Sequence, residues 1–442
     1  MSHFGILSFP GTGHLHPLTA LGRELTRRNH SVTIFQVADV EPLVRAAGLR
    51  FHQIGERDFP PGTLRVLDER LGRLHGSKAM DSVFDRIRQN SQIVLRDAPS
   101  AILSEKVDAL IVDQAEFGGG SVAERLGLPF VTAILTLPLN LRSNFPFSEY
   151  PAEPGLSFGA RSRNAAGNSQ LGFRQVRILA LINRQRKRWS LQAKTGLNAF
   201  DSQLAQISQL PAGFDFPHRN LPSCFHYTGP FFDRMGRRET SFPWSQLDST
   251  RPLVFVSMGT LQNGVDWVFR VVAQACANFP VQTVISLGGG MSPEVFGELP
   301  GNPIVVPYAP QLDLLRRAAL TIFHGGLNTA LESLAHGVPM IAIPVTFDQP
   351  GVGARLVWTR TGRMIPIREL TANRLRIEIG EILTNAQYRT NAKILQKQIS
   401  SINGVKCAAD IIERVLDSRV SHATLPFRDL ATAGWNCRVS KS

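Results

Sequence analysis

Repeatedly along this chain of 442 residues a short apolar run is followed by a glycine-bearing turn, an amphipathic helix and a second apolar run. The first occurrence reads "HFGILSF", "PGTGHLHP", "LTALGRELTRRN" and "HSVTIFQV", with Leu18, Leu21 and Leu25 sharing one helical face. Two strands joined through a helix cannot be a hairpin; they pair in parallel, with the helix as the crossover. The pattern recurs with "VDALIVD", a helix around "GGSVAERLG" and "LPFVTAI". It restarts after "GPFFDRMGRRETSFPWSQLDSTRP", a polar stretch punctuated by proline that reads as a linker. Beyond it come "PLVFVSMGT", a helix over 265–278, "VQTVISLGG", "NPIVVPY", a helix over 311–317, "LTIFH", a helix over 328–336 and "PMIAIPV". The expected fold class is therefore α/β, with two doubly wound parallel-sheet domains and a cleft between them. The boundaries expected are 1–233, a linker over 234–251, 252–418, and a tail over 419–442. The region 140–233 reads as irregular and basic, with helical runs at 173–192 and 198–209. Residues 372–416 read as two or three helical pieces.

A chain this long exceeds one ordinary core, which agrees with two domains. Its longest nearly uncharged stretch, "LPFVTAILTLPLNL", contains two prolines and falls short of the roughly 18 to 20 residues a spanning helix needs. The N-terminus lacks the basic and apolar regions of a signal peptide, so a cytoplasmic location is expected. The widely spaced Cys224, Cys276, Cys407 and Cys437 read as reduced thiols. A formal net charge of +13 asks for an acidic partner. No zinc finger, aromatic RNA-binding strand or basic block with interleaved aromatics argues for nucleic acid. "FRQVRILALINRQRKRW", residues 173–189, mixes apolar residues with Arg174, Arg177, Arg184, Arg186, Lys187 and Arg188. Two readings stay open for it: a helix lying against an anionic membrane surface, or a surface helix whose apolar stripe packs on its own domain.

The stretch "IFHGGLNTALESLAHGVP" carries the most chemistry. Gly325 and Gly326 admit a ligand close to the backbone, and the helix that follows turns its positive end and its N–H groups toward a phosphate, with Asn328 and Thr329 as further donors. The competing structural reading is a capping box, Thr329 with Glu332 three residues on. No D-x-D and no His/Cys/carboxylate cluster has metal-ligand spacing, so no metal and no cofactor is expected.

From Tyr308 to Gln349 the chain resembles the nucleotide-sugar signature of the family 1 glycosyltransferases, whose GT-B fold consists of two facing Rossmann-like domains. The A-P-Q, the H-x-G-x-N-[ST]-x-x-E and the terminal D-Q are all present. The resemblance implies a UDP-sugar co-substrate. Tyr308, in place of the tryptophan usual in plant members, and Gln311 would meet the uracil and ribose. His324, Gly326, Asn328 and Thr329 would meet the diphosphate, Glu332 the ribose hydroxyls, and Asp348 and Gln349 the hexose. Gly259 and Thr260 occupy the strand-end turn that touches phosphate in the family. In "PGTGHLHP" His14 stands at the position of the general base, with Pro17 expected in the first helical turn, and Asp113 at that of the carboxylate that orients the base. A neighbouring helix N-terminus is expected to lower the imidazole's pKa and keep it neutral. His16 is the competing base. The implied reaction is an inverting displacement at the anomeric carbon.

"VTIFQVADV", "LIVDQAEFGG", "LPFVTAILTLPLN", "LPSCFHYTGP" and "FDQPGVGARLVW" together are similar to the bacterial zeaxanthin glucosyltransferases. That resemblance implies an apolar hydroxylated acceptor, a carotenoid, and is consistent with peripheral contact with an anionic membrane. Two other readings stay open: a transferase for a sterol, polyketide, flavonoid or lipid-linked sugar, and a non-catalytic protein that binds a nucleotide sugar or a pigment.

Overall fold

The computed structural model describes residues 1–74, 76–139, 174–217, 221–233, 240–261 and 263–421. Two sheets organise it, every strand pair in both being parallel. The first comprises β1 (His3–Leu7), β2 (Ser31–Gln36), β3 (Arg50–Gln53), β4 (Ala109–Asp113), β5 (Phe130–Ile134), β6 (Gln206–Ser208) and β7 (Phe225–Tyr227), in the order β3-β2-β1-β4-β5-β6-β7. The second comprises β8 (Leu253–Ser257), β9 (Gln282–Ser286), β10 (Ile304–Val306), β11 (Ala318–Phe323), β12 (Met340–Ala342) and β13 (Gly362–Met364), in the order β10-β9-β8-β11-β12-β13. Central strands such as β4 and β8 are buried along their whole length, which is why they read as unbroken apolar runs rather than as alternating ones.

Each sheet changes direction at one point. In the first, β1 is flanked by β2 on one side and β4 on the other; in the second, β8 is flanked by β9 and β11. At such a switch point the chains leaving the carboxyl ends of adjacent strands diverge to opposite faces and open a crevice. The crevice of the first sheet receives the chain after β1 and after β4, that of the second the chain after β8 and after β11.

The helices are α1 (Thr12–Arg27), α2 (Glu41–Ala46), α3 (Thr63–Gly72), α4 (Gly76–Ser104), α5 (Gly119–Leu126), α6 over 174–188, α7 (Asp266–Cys276), α8 (Gln311–Leu315), α9 (Leu327–Ala335), α10 (Gln349–Trp358), α11 (Ala372–Thr384), α12 (Ala386–Ser400) and α13 (Gly404–Ser421). The expected buried face of α1 is present, Leu18, Leu21 and Leu25 being fully enclosed. The C-terminal region does form three helices. The last of them crosses back to the first domain: Arg28 beside α1 reaches Asp410 and Glu413 of α13, each at 2.6 Å.

Three local expectations are corrected. Most of "PGTGHLHP" is helix, because α1 begins at Thr12; Pro17 is the sixth helical residue and not part of the first turn. Residues 198–209 are not helical: a 3-10 turn, Leu197–Phe200, leads into β6. Ala205 and Ile207 are drawn into the sheet core, and three residues of β6 are too few to show a period of two. In α6 the apolar stripe packs inward, with Ile178 and Ile182 buried in the first domain's core. Arg186, expected among the outward arginines, is fully buried and donates to both carboxylate oxygens of Glu124, at 2.8 and 3.0 Å. Arg177, Arg184, Lys187 and Arg188 remain exposed. Among the described residues no helix is long and apolar enough to cross a membrane, and Cys224, Cys276 and Cys407 carry no disulfide. Cys437 and the tail from residue 422 lie outside the described residues.

Candidate active site

The first crevice holds a histidine and a carboxylate. Asp113 ends β4, and His14 lies in the first turn of α1; His14 Nδ1 is 2.8 Å from Asp113 Oδ2. The backbone fixes the carboxylate independently, since Phe9 N–H donates to Oδ2 at 3.1 Å and Ala115 N–H to Oδ1 at 3.0 Å. His16, two residues along the same helix, is turned roughly 200° from His14 and cannot share its surroundings. It lines a cleft with Thr19, Gln209, Phe231 and the α9 residues Asn328 and Glu332.

The expectation of a lowered His14 pKa is overturned. Burial pulls the imidazole down, but the charge and hydrogen bond of Asp113, reinforced by the charge of Asp348, outweigh it, and the net movement is upward. Carboxylates at contact range act more strongly than partial charges at a helix end. The opposing cation is Arg86 of α4, only 4% exposed and stacked over Phe9 at 5.3 Å, while Phe9 packs edgewise on His14 at 5.3 Å. Arg86 reaches Asp68 through Nη1, and its Nε and Nη2 have no hydrogen-bond partner among the described residues. Beneath the pair lies Glu116, 1% exposed; burial raises its carboxyl to about 8, against hydrogen bonds from Gly118 N–H and the Asn90 amide.

The second crevice holds the donor signature. Gly259 and Thr260 leave β8, and His324 and Gly326 leave β11 into α9. Gly326 is the N-cap of α9 and brings no side-chain cap, so Thr329 lies inside the helix and the capping-box reading is excluded. Glu332 accepts instead from Gln311 Nε2 at 2.6 Å, one turn deeper in α9 and opposite the start of α8. The two glycines serve the histidine: a Cβ on Gly259 would stand 2.7 Å from His324 Cε1, and one on Gly326 would collide with Nε2. The imidazole is thus clamped flat between two backbone segments. Burial lowers its pKa to about 4, so it acts as a neutral hydrogen-bonding group and brings no positive charge. A hydrogen bond to the Ser257 backbone opposes that fall and holds the ring from inside the domain. The uncapped end of α9 beside it suits an anionic ligand. Tyr308 is 39% exposed, with its hydroxyl end seated over Gly289, where no Cβ could fit.

The two crevices meet. Asp348, at the N-terminus of α10, follows Phe347, whose φ of 60° is strained for a bulky side chain. Burial raises the Asp348 pKa, and its Oδ2 accepts from Leu137 N–H of the first domain at 3.2 Å. Gln349 turns its side-chain oxygen to its own loop, accepting from Val345 and Thr346 N–H at 2.8 and 3.0 Å. Asn328 Nδ2 donates to Gly13 O at 2.8 Å, its Oδ1 accepts from Gln209 Nε2 at 2.9 Å, and Thr260 Oγ1 is 2.8 Å from Thr12 Oγ1. Deeper in the interface Arg355 Nε donates to Asp215 at 2.9 Å, both residues essentially unexposed.

Of the residues singled out in the sequence, His14 and Asp113 lie at the first switch point and Gly259, Thr260, His324, Gly326, Asn328 and Thr329 at the second, whereas Tyr308 and Gln311 follow the edge strand β10 and Asp348 and Gln349 follow β12. Gln209, Arg86, Glu116, Asp215 and Arg355 were missed as site residues, because their partners lie far away in the chain and no local spacing announces them. Among the described residues no three His, Cys, Asp or Glu side chains group so as to hold a metal ion.

The fold and the sequence have counterparts. By structure the chain is similar to the glycotransferase of kitacinnamycin, with a TM-score of 0.72 at 22% identity over 94% of this chain and 98% of that one. It is likewise similar to the calicheamicin glycosyltransferase CalG4, with a TM-score of 0.70 at 22% identity over 95% and 99%. These likenesses place the two wound sheets in the GT-B fold. By sequence it is 34% identical over 424 residues to the zeaxanthin glucosyltransferase of Pantoea ananas, covering 94% of this chain and 96% of the relative. To the zeaxanthin glucosyltransferase of Pseudescherichia vulneris it is 31% identical over 428 residues, covering 94% and 98%. Residues 201–403, which include the whole of the second crevice, match the family model described as UDP-glucoronosyl and UDP-glucosyl transferase. With its fold, its donor signature and these relatives in agreement, the chain belongs to the UDP-glucoronosyl and UDP-glucosyl transferase family and is a glycosyltransferase.

Proposed function

We propose that the protein transfers a hexose, glucose, from UDP to a hydroxyl of an apolar acceptor, a carotenoid such as zeaxanthin, with inversion at the anomeric carbon and without a metal ion. The observation that carries the reading is the His14–Asp113 pair at 2.8 Å in the electrostatic reach of Asp348 from the opposite domain. A base from one half and the hexose-binding position from the other converge on one point.

With Nδ1 committed to Asp113, His14 Nε2 takes the proton of the acceptor hydroxyl. The oxygen attacks the anomeric carbon, the bond from that carbon to the diphosphate oxygen breaks, and its electron pair leaves on UDP. Asp113 stabilises the imidazolium that results. The α9 N-terminus, His324 and Thr329 receive the charge accumulating on the diphosphate, Tyr308 stacks on the base, Gln311 and Glu332 take the ribose, and Asp348 and Gln349 the hexose hydroxyls. The named activity of the two bacterial relatives supports the carotenoid acceptor. The exposed Arg177, Arg184, Lys187 and Arg188 of α6 support peripheral contact with an anionic membrane, where such an acceptor resides.

The test is to incubate the protein with UDP-glucose and a panel of hydroxylated carotenoids, sterols and flavonoids and to identify products by mass. A carotenoid glucoside is expected, unaffected by EDTA. Sterol or flavonoid glucosides with none from carotenoids would overturn the acceptor, preference for a thymidine diphosphate sugar would overturn the donor, and binding without any turnover would make the protein a sensor.

A further inference from the structure

Pro17 has no N–H, so the carbonyl four residues earlier in α1, that of Gly13, lacks its helical donor. That vacancy falls one bond from His14, because the Gly13 carbonyl belongs to the peptide unit that ends in the His14 nitrogen. The donor comes from the other domain: Asn328 Nδ2, at 2.8 Å. The Asn328 amide is fixed from two sides, by the Gly13 carbonyl, which can only accept, and by Gln209, a residue 1% exposed just beyond the carboxyl end of β6. Its Nε2 donates to Leu135 O at 2.6 Å and to Asn328 Oδ1 at 2.9 Å. The Leu135 carbonyl can only accept, so it fixes the Gln209 amide with Nε2 outward; that Nε2 then holds Asn328 Oδ1 toward itself, in agreement with the Nδ2 donation to Gly13. One hydrogen of Nδ2 is used by Gly13; the second remains for a ligand at the α9 N-terminus.

We propose that Gln209 is a positioning residue for catalysis, which orients the Asn328 amide so that the diphosphate-binding end of α9 grips the Gly13–His14 peptide and sets the base over the sugar. The clasp places a single side chain, Asn328, on both the leaving group's site and the backbone of the base. Displacing the base by an ångström or so is enough to cost about a hundredfold in rate. The proposal rests on the reading of His14 as the base and of α9 as the diphosphate site.

The experiment compares wild type with Gln209→Leu and Pro17→Ala, measuring kcat and KM with UDP-glucose, UDP affinity by calorimetry, and Tm. Gln209→Leu is expected to lower kcat at saturating donor by about ten- to a hundredfold while UDP affinity changes by no more than about twofold. Pro17→Ala restores an in-helix donor that competes with Asn328 for Gly13; kcat is expected to fall although the helix keeps its hydrogen bonding and the protein its Tm. The proposal is overturned if kcat per folded molecule is unchanged while Tm drops, which is a structural role only, or if UDP affinity is lost with kcat intact, which is donor binding only. Should Gln209→Leu fail to fold, Pro17→Ala decides by the same criteria. His14→Ala run in parallel separates this from failure of the base assignment, since only the latter predicts normal turnover in that variant.

Discussion

Asp113 Oδ2 lies 2.8 Å from Nδ1 of His14, and Phe9 N–H donates to the same oxygen at 3.1 Å, so the carboxylate that orients the imidazole is itself held by the strand-end backbone. His14→Ala is expected to abolish sugar transfer, and Asp113→Asn to lower kcat by about 10²- to 10⁴-fold through loss of orientation and charge. His16→Ala should retain the chemical step, because that side chain lies on another face of α1. Product formation under saturating substrates decides it; a dead His16→Ala with an active His14→Ala would exchange their roles.

The pH dependence follows from the groups around that imidazole. A base must be unprotonated, and Asp113 and Asp348 hold His14 protonated to higher pH than an ordinary histidine. The value of kcat/KM is therefore expected to rise with pH along a limb lying above 6.5, the ordinary histidine value. Arg86→Met removes the cation that pulls the other way and should move that limb still higher. A limb below the ordinary value, or a downward shift in Arg86→Met, would contradict the electrostatic account.

Gly326→Ala tests the clamp on His324. A methyl group there collides with the ring, so the imidazole must leave its position beside the α9 N-terminus. UDP affinity is expected to fall by about tenfold, the worth of one strong hydrogen bond to a charged group. Gly259→Ala should act in the same direction and also meets a backbone with φ of 76°. Calorimetric titration with UDP measures both, and an unchanged affinity would show that His324 does not address the nucleotide.

Removing one member of the buried Arg355–Asp215 pair leaves an uncompensated charge in the interface. Asp215→Ala is expected to destabilise the protein by about 3–5 kcal/mol, and changing both partners to apolar residues by less than the sum of the single changes. Denaturant unfolding of the single and double variants gives the comparison; full additivity would mean that the pair does not act as a pair.

Glu116 gives stability its own pH dependence. Its pKa is raised from 4.5 to about 8 on folding, so its contribution is fully present below 4.5 and is lost as pH rises through about 8. Glu116→Gln should flatten the decline of the unfolding midpoint across that window. A decline of the same steepness in the variant would assign it to other groups.

Much of the fold was legible because its information is local. The apolar runs of β1, β4, β8 and β11 and the leucine stripe of α1 report burial on one or both faces, and burial imposes a period that can be counted. Residues 198–209 were misread because β6 is too short to show its period, and "PGTGHLHP" because glycine and proline mark turns more often than helix starts. The nucleotide-sugar signature was legible because it is contiguous from Tyr308 to Gln349. Gln209, Arg86 and Arg355 were not, since their partners lie far away in the chain and no spacing announces them.

By itself the sequence determined that two parallel α/β units would form, that His14 and Asp113 belong to one and the His324 to Glu332 cluster to the other, and that the chain would be a glycosyltransferase of this family. Only the tertiary structure decided what each of those groups is. His14 has a raised pKa because two carboxylates close on it, and His324 a lowered one because it is enclosed without any. Gly326 serves a neighbouring ring, and Asn328 joins two domains because a proline left a carbonyl unpaired. Charge, burial and hydrogen-bond satisfaction depend on distances between atoms remote in the chain, and those distances exist only once the two sheets have packed together.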